Sequence, residues 1–132
     1  MNREILLENY QNPSNFEEVK DDSYIKVNSN NENCIDNIDI YYQLEDNLIK
    51  DLKFQGEACA ITIASSSIMT KLLKDKTIEE AKNIINNFEK MINNEPYNEE
   101  LLEEANCFNE IYKQENRKIC ALLPYNGIKK QL

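Results

Sequence analysis

Cys34, Asp36, Cys59 and Cys120 are the residues of this chain whose types can do chemistry together. The chain has no histidine, which excludes Ser-His-Asp and Cys-His catalysis and every His-ligated metal site and leaves thiolates and carboxylates as the available donors. In "NCID", Asp36 stands two residues beyond Cys34, and in an extended segment residues two apart project to the same side, making a two-donor claw. In "FQGEACAITIASSS" the pattern changes from strand to helix. Gly56, one of only two glycines, is expected to supply the sharp turn there. Cys59 then falls at or near a helix N-terminus, where free N–H groups favour a thiolate. Cys120 follows Arg117 and Lys118, a basic pair that also favours the thiolate form. Three sulfurs and a carboxylate make four ligands, a set that suits tetrahedral Zn²⁺ or, with cysteine dominant, an iron–sulfur cluster.

Spacing alone leaves other readings open. The cysteines form no C-x-x-C pair. Cys59 beside Ala58, Ala60 and Ile61 reads equally well as core packing, and Asp36 as a turn cap. Cys107, in "EEANCFNEI", reads as a small buried hydrophobe. Ser65, Ser66 and Ser67 read as small residues that allow close helix packing, because they lack the base of an activated nucleophile.

The elements that must position these residues follow from apolar periodicity. "REILLENY" is a short helix stopped by Asn12-Pro13. "YIKVN", "NIDIYYQLE" and "LIKDLKFQ" alternate as three antiparallel strands, the last with Leu48, Lys50, Leu52 and Phe54 on one face and Ile49 opposite. The connection after Leu44 is hairpin-like. "AITIASSSIMTKLLKDK" is helical, and "TIEEAKNIINNFEKMINN" is a second helix opening on a Thr77–Glu80 capping box and broken by Pro96. "NEELLEEANCFNEIYKQ" is expected to be an acidic third helix, and "ICALLPYNGIKKQL" a last segment kept short or kinked by Pro124 and Gly127. The fold class is α+β, a three-stranded antiparallel sheet with an N-terminal helix and several C-terminal helices packed on it.

Composition narrows the function. A chain of 132 residues, 41% apolar and 30% charged, suits one domain over residues 1–132. A net charge of -9 argues against nucleic acid and points towards a basic protein partner or no electrostatic partner at all. The first residues carry charges at Arg3, Glu4 and Glu8 and no long apolar run, so the expectation is no signal peptide, no membrane span and a cytoplasmic protein whose thiols stay reduced.

Four blocks carry a family resemblance over nearly the whole chain. "NYQNPSN" (Asn9 to Asn15) is similar to H-Y-x-N-P-x-N, "NENCID" to N-P-x-C-G-D, "FQGEACAITIASSSIMT" to F-x-G-x-G/A-C-x-I-S-x-A-S-x-S-x-M, and "RKIC" to R-x-K-C. These are motifs of the NifU N-terminal / IscU / SufU family of iron–sulfur cluster assembly proteins, and the long stretch between Cys59 and Cys120 resembles the insertion of the SufU branch. The IscU hallmarks, an L-P-P-V-K segment and a histidine before the last cysteine, are missing, which argues against a dedicated Hsp70-type chaperone partner. Ile35 stands where the family has glycine, and Asn9 where it has histidine.

The resemblance implies a SufE/NifU-like fold. It implies Cys34, Asp36, Cys59 and Cys120 as metal ligands, Cys34 as sulfur acceptor, and Arg117 as a basic neighbour. The implied function is iron–sulfur cluster assembly as a zinc-dependent sulfurtransferase, taking persulfide sulfur from a PLP-dependent, SufS-like cysteine desulfurase and serving downstream assembly or recipient proteins. The alternative within the family is a scaffold for iron and a transient [2Fe–2S] cluster. A rival of another class is a structural zinc-binding interaction module, which an all-sulfur closed site would favour over a set that includes a carboxylate.

Overall fold

The alternating runs build the sheet. The computed structural model describes residues 1–32 and 35–132. In it, strands β1 (Ile25–Asn30), β2 (Asn37–Glu45) and β3 (Leu48–Glu57) pair antiparallel in the order β1-β2-β3. Asp46, at φ 57°, makes the tight β2–β3 turn with Asn47. Ile38, Ile40 and Tyr42 lie opposite Gly56, Phe54 and Leu52, so their side chains share the face that is buried. Ile49 joins that core rather than facing away as strict alternation requires. A register shift beyond Gln43 passes over Lys50 in the pairing and re-phases the strand.

Gly56 lies within β3, not in the turn that follows it. Its φ is +142°, and a Cβ there would sit 2.2 Å from the carbonyl oxygen of Asn37. The residue is glycine because the β2 backbone passes through the space of a side chain.

Four α-helices complete the fold: α1 (Arg3–Gln11), α2 (Ala60–Leu73), α3 (Ile78–Ile92) and α4 (Glu115–Lys129). Helices α2 and α4 cover the sheet and pack on each other, α1 packs on α2, and α3 on α4. The expected capping box opens α3, with Thr77 and Glu80 each bonding the other's backbone N–H. Phe88 of α3 stacks on Tyr125 of α4, ring centroids 4.0 Å apart.

The acidic third helix is instead three 3₁₀ segments, at Glu99–Leu101, Glu103–Phe108 and Ile111–Lys113. Asparagine side chains explain this. Asn98 Oδ1 accepts from the Glu100 N–H, and Asn106 Nδ2 donates to the carbonyls of Glu99 and Glu103, occupying backbone groups that an α-helix would pair. Glu103, at φ 43°, interrupts the helical path outright.

The last segment departs in the opposite direction: α4 runs unbroken through Pro124 and Gly127. Proline has no N–H for the carbonyl four residues back, which is that of Cys120. That carbonyl lies 3.2 Å from the Thr62 hydroxyl of α2. Ser65 donates to the Ala121 carbonyl at 2.6 Å, and Ser29 of β1 to that of Leu123 at 2.8 Å. Hydroxyls from neighbouring elements thus stand around the weakened turn. Gly127 lets α4 reach the sheet, since a Cβ there would lie 2.9 Å from Ser29 Cβ and 3.1 Å from Ile40 Cδ1.

Gly56→Ala combines positive-φ strain with a backbone overlap, and should destabilise the protein by about 2 kcal/mol or more. The denaturant midpoint measures this, and an unchanged midpoint would show that the β2–β3 backbones separate freely at this point.

Candidate functional site

Asp36 ends the β1–β2 connection, where the Asn31 N–H donates to its carbonyl at 2.9 Å. Its side chain is 1% exposed, and a buried carboxylate requires donors. The Cys59 N–H donates to Oδ1 at 2.8 Å and the Thr62 hydroxyl to Oδ2 at 2.7 Å. Cys59 is the N-cap of α2, and its own side chain makes no capping bond. Asp36 therefore caps that helix from another segment, rather than closing a local turn.

Cys59 Sγ lies 3.8 Å from Asp36 Oδ2 and 3.4 Å from Thr62 Oγ1. Cys120, inside α4 rather than at its start, completes the cluster. One donor atom from each of Asp36, Cys59 and Cys120 lies within 4.8 Å of the others. Cys34 lies outside the described residues. Cys107 is buried on the 3₁₀ segment Glu103–Phe108, apart from this cluster.

The environment of the cluster shifts two of its groups in opposite directions. Burial acts to raise the Asp36 carboxyl, but the Cys59 amide, the Thr62 hydroxyl and the two cysteine side chains outweigh it and hold the group below the usual carboxylate value. Cys120 goes the other way. Burial, then Cys59 and Asp36, push its thiol up to about 12. The basic pair before it does not stand against the sulfur as expected: Arg117 is exposed, and Lys118 pairs with Glu115 at 3.5 Å. Two sulfurs and a carboxylate converge here, and sulfur and oxygen donors at this separation suit zinc.

Thr62 is the site residue that motif reasoning missed. The available signal was its place three residues after Cys59, where a side chain in the first turn points back towards the helix start. The serine run is also more than small. Ser66 donates to the Thr62 carbonyl, and Ser67 donates to Asn9 Oδ1 and accepts from the Ser14 N–H, each bond 2.7 to 2.8 Å. All three serines are fully buried, so α2 is fastened to α1 and α4 by hydroxyls.

Residues 1–121 match the NifU-like N-terminal domain. The chain belongs to that family. It is 33% identical over 129 residues to the zinc-dependent sulfurtransferase SufU of Bacillus subtilis, covering 97% of this chain and 86% of that one. It is 31% identical to the iron–sulfur cluster assembly scaffold protein IscU of Thermotoga maritima, covering 93% and 87%. Among solved structures, an iron–sulfur cluster assembly scaffold protein for the SUF system from Fervidobacterium islandicum superposes with a TM-score of 0.86 at 25% identity, covering 96% of this chain and 93% of the other. A NifU-like N-terminal protein from Brucella abortus shares the fold, with a TM-score of 0.85 at 20% identity and coverage of 96% and 88%. Among the described residues no helix is long and apolar enough to cross a membrane.

Thr62→Val removes a donor to a buried, ionised carboxylate and should cost the metal-free protein about 1–3 kcal/mol at pH 7. The Asp36 carboxyl is depressed in the folded state, so its contribution is present above the ordinary value of 3.8 and lost as pH falls through the lower folded value. The stability gap between wild type and variant should therefore narrow as pH is lowered from 5 towards 3. Denaturant curves across that range give the answer, and a gap that widens would mean Thr62 favours the protonated acid.

Proposed function

We propose that residues 1–132 form a single SufU-like domain that binds Zn²⁺ through Cys34, Asp36, Cys59 and Cys120 and accepts persulfide sulfur on Cys34 from a PLP-dependent, SufS-like cysteine desulfurase. The observation that carries this is the meeting of Asp36, Cys59 and Cys120 within 4.8 Å, from three distant parts of the chain. Its chemistry matches the activity named in the B. subtilis relative. The carboxylate in the set supports this reading over that of a structural zinc module, because closed structural sites are built from sulfur and histidine.

Zinc, when bound, keeps its cysteine ligands as thiolates near neutral pH. The chain's own residues divide the remaining work. Asp36 is held ionised by the Cys59 amide and the Thr62 hydroxyl. Cys120 and Cys107 are buried, and Cys59 stands at the α2 N-cap beside Asp36. We assign the acceptor role to Cys34 on its motif match, in the polar run "NSNNENC". Its thiolate attacks the outer sulfur of the donor's persulfide. The donor's S–S bond breaks, the donor cysteine leaves as a thiolate, and a new persulfide forms on Cys34 with no net oxidation.

A second reading has support from the scaffold proteins of T. maritima and F. islandicum. The same donors would hold iron or a transient [2Fe–2S] cluster as cargo for downstream assembly or recipient proteins. The Asp36 oxygen, a harder donor than sulfur, favours its release.

Protein purified anaerobically should carry one zinc per chain, Cys120→Ser should lose it, and Cys107→Ala should retain it. Elemental analysis of the three decides the ligand set, and loss of metal from Cys107→Ala would show that the wrong cysteine had been assigned.

With a SufS-like desulfurase and free cysteine, mass spectrometry should find one added sulfur on Cys34, and alanine production should rise. Cys34→Ser should abolish both, because a hydroxyl does not ionise near neutral pH. Stimulation that survives in Cys34→Ser would overturn the acceptor assignment.

A further inference from the structure

The chain is acidic, with a net charge of -9 and only two arginines, Arg3 and Arg117. Both line one groove of about 570 Å³ between α1 and the start of α4, together with Leu6, Leu7, Ile61 and Lys113. Ile61 and Arg117 also line the neighbouring hollow whose walls include Cys59, Cys120 and Ile119. The two recesses share Ile61 and Arg117 in their walls, so they adjoin between the N-terminal helix and the cysteines.

The charges along this path are unbalanced. Among the described residues Glu110 is the one carboxylate that lines the groove, and it is engaged by the Met1 ammonium at 2.7 Å and by Lys113 at 3.2 Å. Arg3 and Arg117 are exposed, and neither makes a side-chain hydrogen bond or ion pair among the described residues. Exposed apolar side chains accompany them, Leu7 at 48% and Ile119 at 52%. Elsewhere on the surface, lysines such as Lys26, Lys50, Lys71 and Lys129 are paired with carboxylates. A guanidinium presents a planar fork of donors that matches a carboxylate in two bonds.

We infer that this groove is the docking surface for an acidic segment of the sulfur-donating partner, one that carries carboxylates for Arg3 and Arg117 and an apolar side chain for the Leu7 and Ile61 wall. The inference rests on the sulfur-acceptor reading above and adds to it the chemistry of the contact. Charge complementarity selects the occupant. Arg117, which lines the hollow with the cysteines, and Arg3, further along the groove, offer guanidinia to a partner that brings its carboxylates to this path.

The test measures binding of purified SufS-like desulfurase to zinc-loaded protein by biolayer interferometry, at low and high salt. The variants are Arg3→Glu/Arg117→Glu and a charge-matched control, Lys82→Glu/Lys130→Glu, on exposed positions away from the groove. Wild type should bind more weakly as salt rises, and the groove variant should lose about tenfold or more in affinity at low salt. The control should stay within about twofold of wild type. Zinc content and circular dichroism verify that each variant is folded and metal-loaded. If wild type binds but the groove variant binds equally well, or if the control loses as much, the docking assignment is overturned and the acceptor reading stands. If wild type neither binds nor stimulates the desulfurase, the acceptor reading fails first and the docking inference with it.

Discussion

Burying the Asp36 carboxylate is the constraint around which the rest of this structure is arranged. An ionised carboxyl at 1% exposure is tolerable only with donors in place, and its donors come from the first turn of α2. That fixes the end of the β1–β2 connection against the start of α2. The same Thr62 hydroxyl also lies beside the Cys120 carbonyl, so α4 is drawn to the same point. Gly56, Gly127 and Pro124 serve this convergence. One lets β3 approach β2, one lets α4 approach the sheet, and one releases a carbonyl from its own helix.

Much of this was legible in the sequence where a rule is local. Strand alternation placed β1, β2 and β3, and the Thr77–Glu80 pair marked the start of α3, because side-chain direction and capping act over a few residues. Asp36, Cys59 and Cys120, which the structure brings within 4.8 Å, were singled out by their types and motif context. What escaped was set by tertiary contact. The phase of Ile49 depends on a bulge that has no signature in "LIKDLKFQ". The 3₁₀ character of residues 99–113 depends on which carbonyls the asparagines find. Pro124 reads as a helix stop, and only neighbouring hydroxyls show why the helix goes on. The burial that pushes the Cys120 thiol up cannot be read from the arginine and lysine before it.

Asp36 and Cys120 are shifted in opposite directions: hydrogen bonds hold Asp36 below the usual carboxylate value against burial, whereas burial, with Cys59 and Asp36 beside it, raises the Cys120 thiol. A cation bound through Cys120 would compete with its proton, so its affinity would depend on pH. Cys107, buried more deeply than Cys120, belongs to no cluster of three possible metal ligands among the described residues. It remains a packing residue.

The wide spacing of the donors has a consequence in chain entropy. Asp36 and Cys59 are 23 residues apart, and 58 residues separate Thr62 from Cys120. An ion held by all three segments acts as a crosslink, and closing a loop of the larger size removes on the order of 4 kcal/mol of unfolded-state freedom. Cys34 is different, because it stands only two residues from Asp36. Its detachment from a shared ion would reopen no long loop while Asp36, Cys59 and Cys120 remain attached. In the proposed four-donor set Cys34 and Asp36 share one chain segment, so the departure of Cys34 alone would leave the crosslink closed through Asp36, which the Cys59 amide and the Thr62 hydroxyl hold in place.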